Sequence, residues 1–249
     1  MKKPRCYIGT SGYSYEDWKN GIFYPGGLAA NKWLGFYSEI FDTVELNVTF
    51  YRLPKETAFK TWYKRTPKDF SFSVKGSRFI THIKRLKDCE DAVKLFFERV
   101  DCLKNKASCI LWQLPPKFKS DQKRLSDFIK NLSKEKKKRR HVFEFRNESW
   151  YTKEIFRLLR DNNISLCIAD WPPFSKEGPE TADFVYIRRH GTGARLYGGC
   201  YSNAQLKKDA RMIKDFLRKE KRVYIYFNND AHGYAPKNAM TLKKMPGLS

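Results

Sequence analysis

The chain lacks any run of about 20 apolar residues, the length a helix needs to cross a bilayer, so the sequence offers no membrane span. It also has no charged-then-apolar leader at its start, and the two absences together lead us to expect a cytoplasmic protein without membrane contact. Histidine is scarce, with only His82, His141, His190 and His232. The six cysteines (Cys6, Cys89, Cys102, Cys109, Cys167 and Cys200) show no CxxC or CxxH spacing. That removes a zinc knuckle and a redox pair, and leaves reduced thiols acting as small apolar filler. No Gly/Ser-rich or Pro-rich linker divides the chain and no repeat of about 20–50 residues recurs, which argues against two domains and against a solenoid. Acid is the last shortage: 27 Asp plus Glu face 50 Lys plus Arg, a net charge of +23. A field of that sign draws polyanions and favours nucleic acid or another phosphate-rich partner, unless it is only the charged surface of a lysine-rich or thermophilic protein.

What the chain does contain is a regular alternation. Apolar runs rich in β-branched and aromatic residues occupy 6–10 (CYIGT), 43–47 (TVELN), 70–75 (FSFSVK), 108–113 (SCILWQ), 141–146 (HVFEFR), 165–170 (SLCIAD), 184–190 (FVYIRRH) and 223–228 (VYIYFN). Helical segments are expected between them at 30–40, 55–64, 88–102, 121–132, 152–161 and 203–219. In the fourth, Leu125, Phe128, Ile129 and Leu132 recur on one face, and Asp121 sits where the positive end of the helix dipole welcomes a carboxylate. Alternating strands and helices make βα units around a parallel sheet, and 249 residues match the roughly 250 of one closed barrel. The expected fold is an α/β protein, a TIM (β/α)8 barrel, forming a single domain over residues 1–249. The basic run Lys134–Arg140 (KEKKKRR) enters the fifth strand at its amino-terminal rim, as a solvated helix end or as a patch gripping polyanions.

Barrel proteins place their reactive groups on the last residues of the strands. Polar residues there are Thr10 and Ser11, Glu45 and Asn47, Lys75, Gln113, Glu144 and Arg146, Asp170, Arg188 and His190, then Asn228, Asn229 and Asp230. Residues two apart in a strand share a face, so Glu45 goes with Asn47, Glu144 with Arg146 and Arg188 with His190, each opposite an apolar face. A buried charge needs a partner or a ligand. One reading is therefore structural: Glu144 with Arg146, or Asp170 with Arg188, are buried ion pairs that close the core. In the other, Lys75, Arg146 and Arg188 bind an anionic group, Glu45, Asn47, Asn228 and Asn229 line the substrate, and Glu144, Asp170 and His190 are the acid/base candidates. A divalent metal on Glu45, Glu144, Asp170 or Asp230 suits hard oxygen donors, but no ligand spacing demands one, so the cofactor stays open.

Long motifs at these same positions carry a resemblance. They are IGTSGYSYEDWKNGIFYP (Ile8 to Pro25), FDTVELNVTFYRLP (Phe41 to Pro54), FSVKGSRFITH (Phe72 to His82), LWQLPPKF (Leu111 to Phe118), FEFRNESW (Phe143 to Trp150), IADWP (Ile168 to Pro172), VYIRRHG (Val185 to Gly191) and VYIYFNNDAHGYAPKNA (Val223 to Ala239). In that order they closely resemble the DUF72, or YecE-like, family of TIM-barrel proteins, whose biochemical function is largely unassigned. The resemblance implies the barrel and the same rim, but supplies no reaction. Family members have been compared with endonuclease IV-like barrels, an analogy that implies DNA or RNA as partner. Four histidines are hard to build into the trinuclear zinc cluster of that enzyme pattern.

The leading functional reading is a phosphate-handling barrel that binds or processes nucleic acid, as a phosphodiesterase or nuclease-type hydrolase would. A second is a small-molecule or carbohydrate lyase, isomerase or hydrolase, with Glu45 and Glu144 as paired carboxylates and Tyr13, Trp18, Tyr51 and Trp150 as a sugar platform. A third is a noncatalytic nucleic-acid-binding protein that keeps the rim charges as a structural network.

Overall fold

In the computed structural model, residues 6–135, 137–171, 178–192 and 197–248 are described; Lys136 of the basic run and Pro172 of the IADWP motif lie outside them. The alternation read in the sequence becomes parallel strands β1 (Cys6–Thr10), β2 (Thr43–Leu46), β3 (Ser71–Lys75), β4 (Ala107–Gln113), β5 (Arg140–Glu144), β6 (Ser165–Leu166), β7 (Ile168–Ala169), β8 (Phe184–Arg189) and β9 (Arg222–Phe227). β6 and β7 are the two halves of the one strand expected over 165–170, parted at Cys167. The first half pairs with β5, to which the Cys167 N–H also donates, and the second pairs with β8. Two ladders result, β1-β9-β8-β7 and β2-β3-β4-β5-β6. A parallel bridge between Ser11 and Glu45 joins β1 to β2, and Cys167 joins the other two edges covalently, so the sheet closes as a TIM barrel.

Closure at β1 and β2 depends on Gly9 and Tyr37. A Cβ at position 9 would stand 2.4 Å from the Thr43 carbonyl oxygen, so only glycine allows the two strands to come this close. The Tyr37 hydroxyl accepts the Thr10 N–H at 2.9 Å and donates to the Thr43 carbonyl at 3.1 Å, satisfying backbone groups where the ladder opens.

Helices α1 (Trp33–Ile40), α2 (Val48–Tyr51), α3 (Glu56–Lys64), α4 (Glu90–Val100), α5 (Gln122–Ser133), α6 (Lys153–Asp161), α7 (Asn203–Arg218) and α8 (Tyr234–Lys243) follow their strands. Caps mark three starts: Asp121 accepts from Arg124 N–H, Thr152 from Ile155 N–H, and Ser202 and Gln205 form a reciprocal capping box. Helix α8 has no counterpart among the expected segments, and it opens on Gly233 and Pro236, residue types that more often punctuate loops. In fact Gly233 is its N-cap at φ +70°, and Pro236 falls in the first turn, where a missing N–H leaves no bond unmade. Among the described residues no helix is long and apolar enough to cross a membrane.

Strand parity divides the core in two. Ile8, Val44, Phe72, Ile110, Phe143, Ile187 and Ile225 face the helices. Tyr7, Cys109, Leu111, Val142, Cys167, Phe184, Tyr186, Tyr224 and Tyr226 fill the barrel. Aromatic rings thus take the place of the usual branched aliphatics, with Tyr7 stacked on Tyr224 at 4.8 Å. Their hydroxyls need partners: Tyr226 reaches Thr43 and Ser73, both at 2.7 Å, and Tyr186 reaches Glu45 at 2.7 Å. The interior therefore grades from apolar to polar toward the carboxyl ends of the strands.

Candidate functional site at the barrel mouth

Above these rings, the interior positions toward the ends of β2, β3, β5 and β8 carry the buried charged residues Glu45, Lys75, Glu144 and Arg188. Arg188, fully buried at the end of β8, donates from Nη1 to Glu144 Oε2 at 2.6 Å and from Nη2 to Glu45 Oε1 at 2.8 Å. Ser11 donates to the same Glu45 oxygen at 2.6 Å and Tyr186 to the other. Arg146 Nε then holds Glu144 Oε1 at 2.8 Å. Two carboxylates and two guanidiniums alternate across the mouth, and each charge has an opposite neighbour. Burial alone would raise the Glu144 carboxyl, but Arg188 and Arg146 outweigh it and hold that group well below its usual range. Burial likewise works against the Arg188 cation, yet Glu45 and Glu144 push its ionisation well above normal. Both stay charged.

His190 continues the β8 parity and is wholly buried. Its Nδ1 lies 3.1 Å from the Asn228 amide nitrogen, so with that nitrogen as donor the imidazole proton sits on Nε2. Nε2 faces Glu144 Oε1 at 3.5 Å, beyond hydrogen-bond length, and has no other partner among the described residues. Burial lowers the imidazole's pKa, which the Glu144 carboxylate only partly offsets, so the ring is neutral at neutral pH. Asp170 anchors this segment: one oxygen accepts the His190 N–H at 2.7 Å and the other the Tyr201 hydroxyl at 2.5 Å.

Cations collect on the β3 side. Arg146 stacks over Trp171 at 4.5 Å, and Lys75 Nζ lies 4.2 Å from the Phe50 ring centre. Burial, reinforced by Lys75, Arg146, Arg78 and Arg85, pushes the His82 imidazole down to about 4. Three guanidiniums and the Lys75 amine thus act on one histidine in the segment after β3.

The structure brings Lys75, Glu45, Glu144, Arg146, Arg188, His190 and Asn228 to one mouth. Asn47 sits on its edge, half-buried, and its Oδ1 has no partner among the described residues. Asn229 turns away, donating to the Gly199 carbonyl and to Asn238, both at 2.9 Å. The Asp170–Arg188 ion pair does not form, because both arms of Arg188 go to the two glutamates and Asp170 has Arg189 as its nearest guanidinium at 4.0 Å. Gln113 is buried and donates to the Leu114 carbonyl. The carboxylates considered for a divalent metal do not converge: Glu45 and Glu144 point at Arg188, and among the described residues no three His, Cys, Asp or Glu side chains are grouped to hold an ion. The sugar platform is also overturned, since Trp18 and Trp150 are fully buried, the latter stacked on Phe145 at 4.8 Å. Tyr51 alone of that set is widely exposed, at 79%.

Sequence reasoning missed Tyr186, Tyr201, His82 and Trp171. Tyr186 was within reach, since it lies two residues before Arg188 and so shares its face. The described part of the basic run lies at the opposite end of the barrel, where Arg140 opens β5 and Lys137 and Arg139 pair with Asp101.

Relatives share this frame. The profile of the family described as "Protein of unknown function DUF72" matches residues 7–249. The UPF0759 protein YunF of Bacillus subtilis is 23% identical over 96% of this chain and 94% of its own length. The UPF0759 protein YecE of Escherichia coli is 32% identical over 45% of this chain and 38% of its own. Among solved structures, a DUF72 family protein from Thermotoga maritima superposes with a TM-score of 0.84 at 32% identity, covering 96% of this chain and 98% of that one. Another from Enterococcus faecalis, at 22% identity and 98% and 96% coverage, gives 0.82 and shares the fold. With a family match over nearly its whole length and the same barrel in its relatives, this chain belongs to the DUF72 family.

Proposed function

We propose that the barrel mouth is an acid/base site for a substrate that carries a phosphate group. Arg146 is the observation that supports this most. Glu144 fixes its Nε and Trp171 its plane, while its terminal nitrogens have no partner among the described residues. A guanidinium held in this way presents paired donors to a tetrahedral oxyanion. Lys75 stands in the same mouth, and Arg78 and Arg85 add positive potential from the β3 loop. Arg188 is saturated by Glu45 and Glu144, so its part is to hold those carboxylates rather than to grip the anion. His190, neutral and with its Nε2 proton toward Glu144, is suited to donate a hydrogen bond to a substrate oxygen, and Lys75, ionising at about 7, is the group suited to pass a proton.

A second reading, a single-stranded nucleic acid whose phosphate enters this mouth, is favoured by the rim. Tyr51 (79% exposed), Phe79 (44%) and Ile83 (61%) stand uncovered, and Lys84 Nζ lies 5.9 Å from the Phe79 ring. Exposed rings next to cations are what stacked bases and their backbone require, and the +23 net charge would speed the encounter.

Calorimetric titration of wild type and Arg146→Met with glycerol 3-phosphate, paired with melting curves, tests the proposal. At least a tenfold loss of affinity with a nearly unchanged melting temperature is expected. Unchanged affinity with a large loss of stability would instead make Arg146 core architecture.

A further inference from the structure

We infer that Lys75 is a nucleophile that forms a Schiff base with the carbonyl group of a phosphate-bearing aldehyde or ketone, so that the mouth performs lyase or aldol-type chemistry. The inference rests on the proposed phosphate site and names its substrate class. Lys75 ends β3 pointing into the barrel, with 8% of its surface exposed. Its backbone is fixed on both sides. Thr49 of α2 donates to its carbonyl at 2.6 Å, and the Gly76 N–H donates to Leu111 O at 2.8 Å. A Cβ on Gly76 would meet the Trp112 ring at 2.4 Å, so the chain is clamped there.

The amine at the end of this rigid stem is left open. Among the described residues Lys75 Nζ makes no hydrogen bond and has no carboxylate within 4.0 Å; its near neighbour is the face of Phe50. Lys106 shows what a structural buried lysine looks like in the same protein. Its Nζ donates to Tyr63 O at 2.6 Å, Thr66 O at 2.8 Å and Thr66 Oγ1 at 3.1 Å. Lys75 has no such cage. Nor is a counter-charge free for it, because Glu45 and Glu144 are already matched by Arg188 and Arg146. Burial, reinforced by Arg188 and only partly opposed by Glu144 and Glu45, brings its ionisation down to about 7, so much of it is the free amine at neutral pH.

The step balances. The Nζ lone pair forms a bond to the carbonyl carbon, and the carbonyl oxygen takes one proton from Nζ and one from solvent. That oxygen leaves as water and a protonated iminium remains. The iminium nitrogen then accepts the electron pair released when the adjacent carbon–hydrogen bond breaks and its proton passes to water, or when the bond to a hydroxyl-bearing carbon breaks and that carbon leaves as an aldehyde, its hydroxyl proton passing to water. Arg146 holding the phosphate would set the carbonyl against Lys75. A free sugar phosphate and the ring-opened sugar of an abasic nucleotide both offer this chemistry.

The test is reductive trapping with sodium cyanoborohydride near neutral pH, followed by peptide mass mapping. Glyceraldehyde 3-phosphate, glyceraldehyde and an oligonucleotide with one abasic site are the three probes. Lys75 should be labelled by a phosphate-bearing probe at least tenfold faster than the exposed Lys123, inorganic phosphate should compete, and Lys75→Arg, with its fold checked by circular dichroism, should lose the label. Whichever of the two phosphate-bearing probes traps faster identifies the source. Labelling of Lys75 no faster than of Lys123 overturns the nucleophile, and the phosphate site stands or falls separately on calorimetry. Rapid labelling by glyceraldehyde that phosphate does not slow keeps the nucleophile and removes the phosphate site.

Discussion

Replacing Lys75 by methionine keeps a similar apolar stem and removes the amine. In the folded protein this amine ionises at about 7, against 10.5 for the ordinary side chain. The folded pKa is the lower one, so between these values the unfolded chain binds more protons and stability rises with pH. The cost of burying the ammonium is fully present below about pH 7 and gone above about pH 10.5. A displacement of this size corresponds to a ceiling of about 5 kcal/mol, which local relaxation and water entry reduce. Lys75→Met should therefore be more stable than wild type by several kcal/mol at about pH 6, with the difference shrinking toward pH 10. Urea denaturation across that range measures it. A difference that does not change with pH, or a variant less stable than wild type at pH 6, would mean that the ammonium is paired and Lys75 is structural.

Arg188→Met should cost roughly 3–5 kcal/mol in urea denaturation, since it leaves Glu45 and Glu144 buried without their shared cation. Arg189 faces the helix layer, with Nε 3.0 Å and Nη2 2.5 Å from the two Asp209 carboxylate oxygens, so Arg189→Met should lower stability and leave glycerol 3-phosphate affinity unchanged. Binding of a single-stranded oligonucleotide should weaken steeply with salt, and Tyr51→Ala with Phe79→Ala should remove about 1–3 kcal/mol for each base that stacks. Binding insensitive to both changes would discard the nucleic-acid reading. Thiol titration of denatured, unreduced protein should count six free cysteines, as all six stand unpaired.

Parity made much of the mouth legible before any coordinates. A period of two along β2, β5 and β8 puts Glu45, Glu144, Arg146, Arg188 and His190 inside, and the closed barrel does the rest. What parity cannot tell is who pairs with whom across the barrel. Arg188 meets Glu45 and Glu144, 143 and 44 residues away in sequence, and that choice depends on stagger and strand tilt. Asp170 illustrates the limit, since the strand breaks at Cys167 and its carboxylate turns to Tyr201 and the His190 backbone. Trp18 and Trp150 misled because an indole at a strand-end motif suits a ligand platform and a core wedge equally well in sequence. Their N–H groups bond to the backbone carbonyls of Asp230 and Phe118, which is what buried indoles need. The open state of Lys75 was invisible in sequence, for it follows from which anions the arginines had already taken.

A crystal structure of the protein grown with tungstate, a heavy tetrahedral stand-in for phosphate, tests the central claim most directly. The expected result is an anomalous peak at the mouth within hydrogen-bond reach of the Arg146 terminal nitrogens, lost in Arg146→Met. Tungstate bound only among surface lysines, with the mouth unchanged, would contradict it.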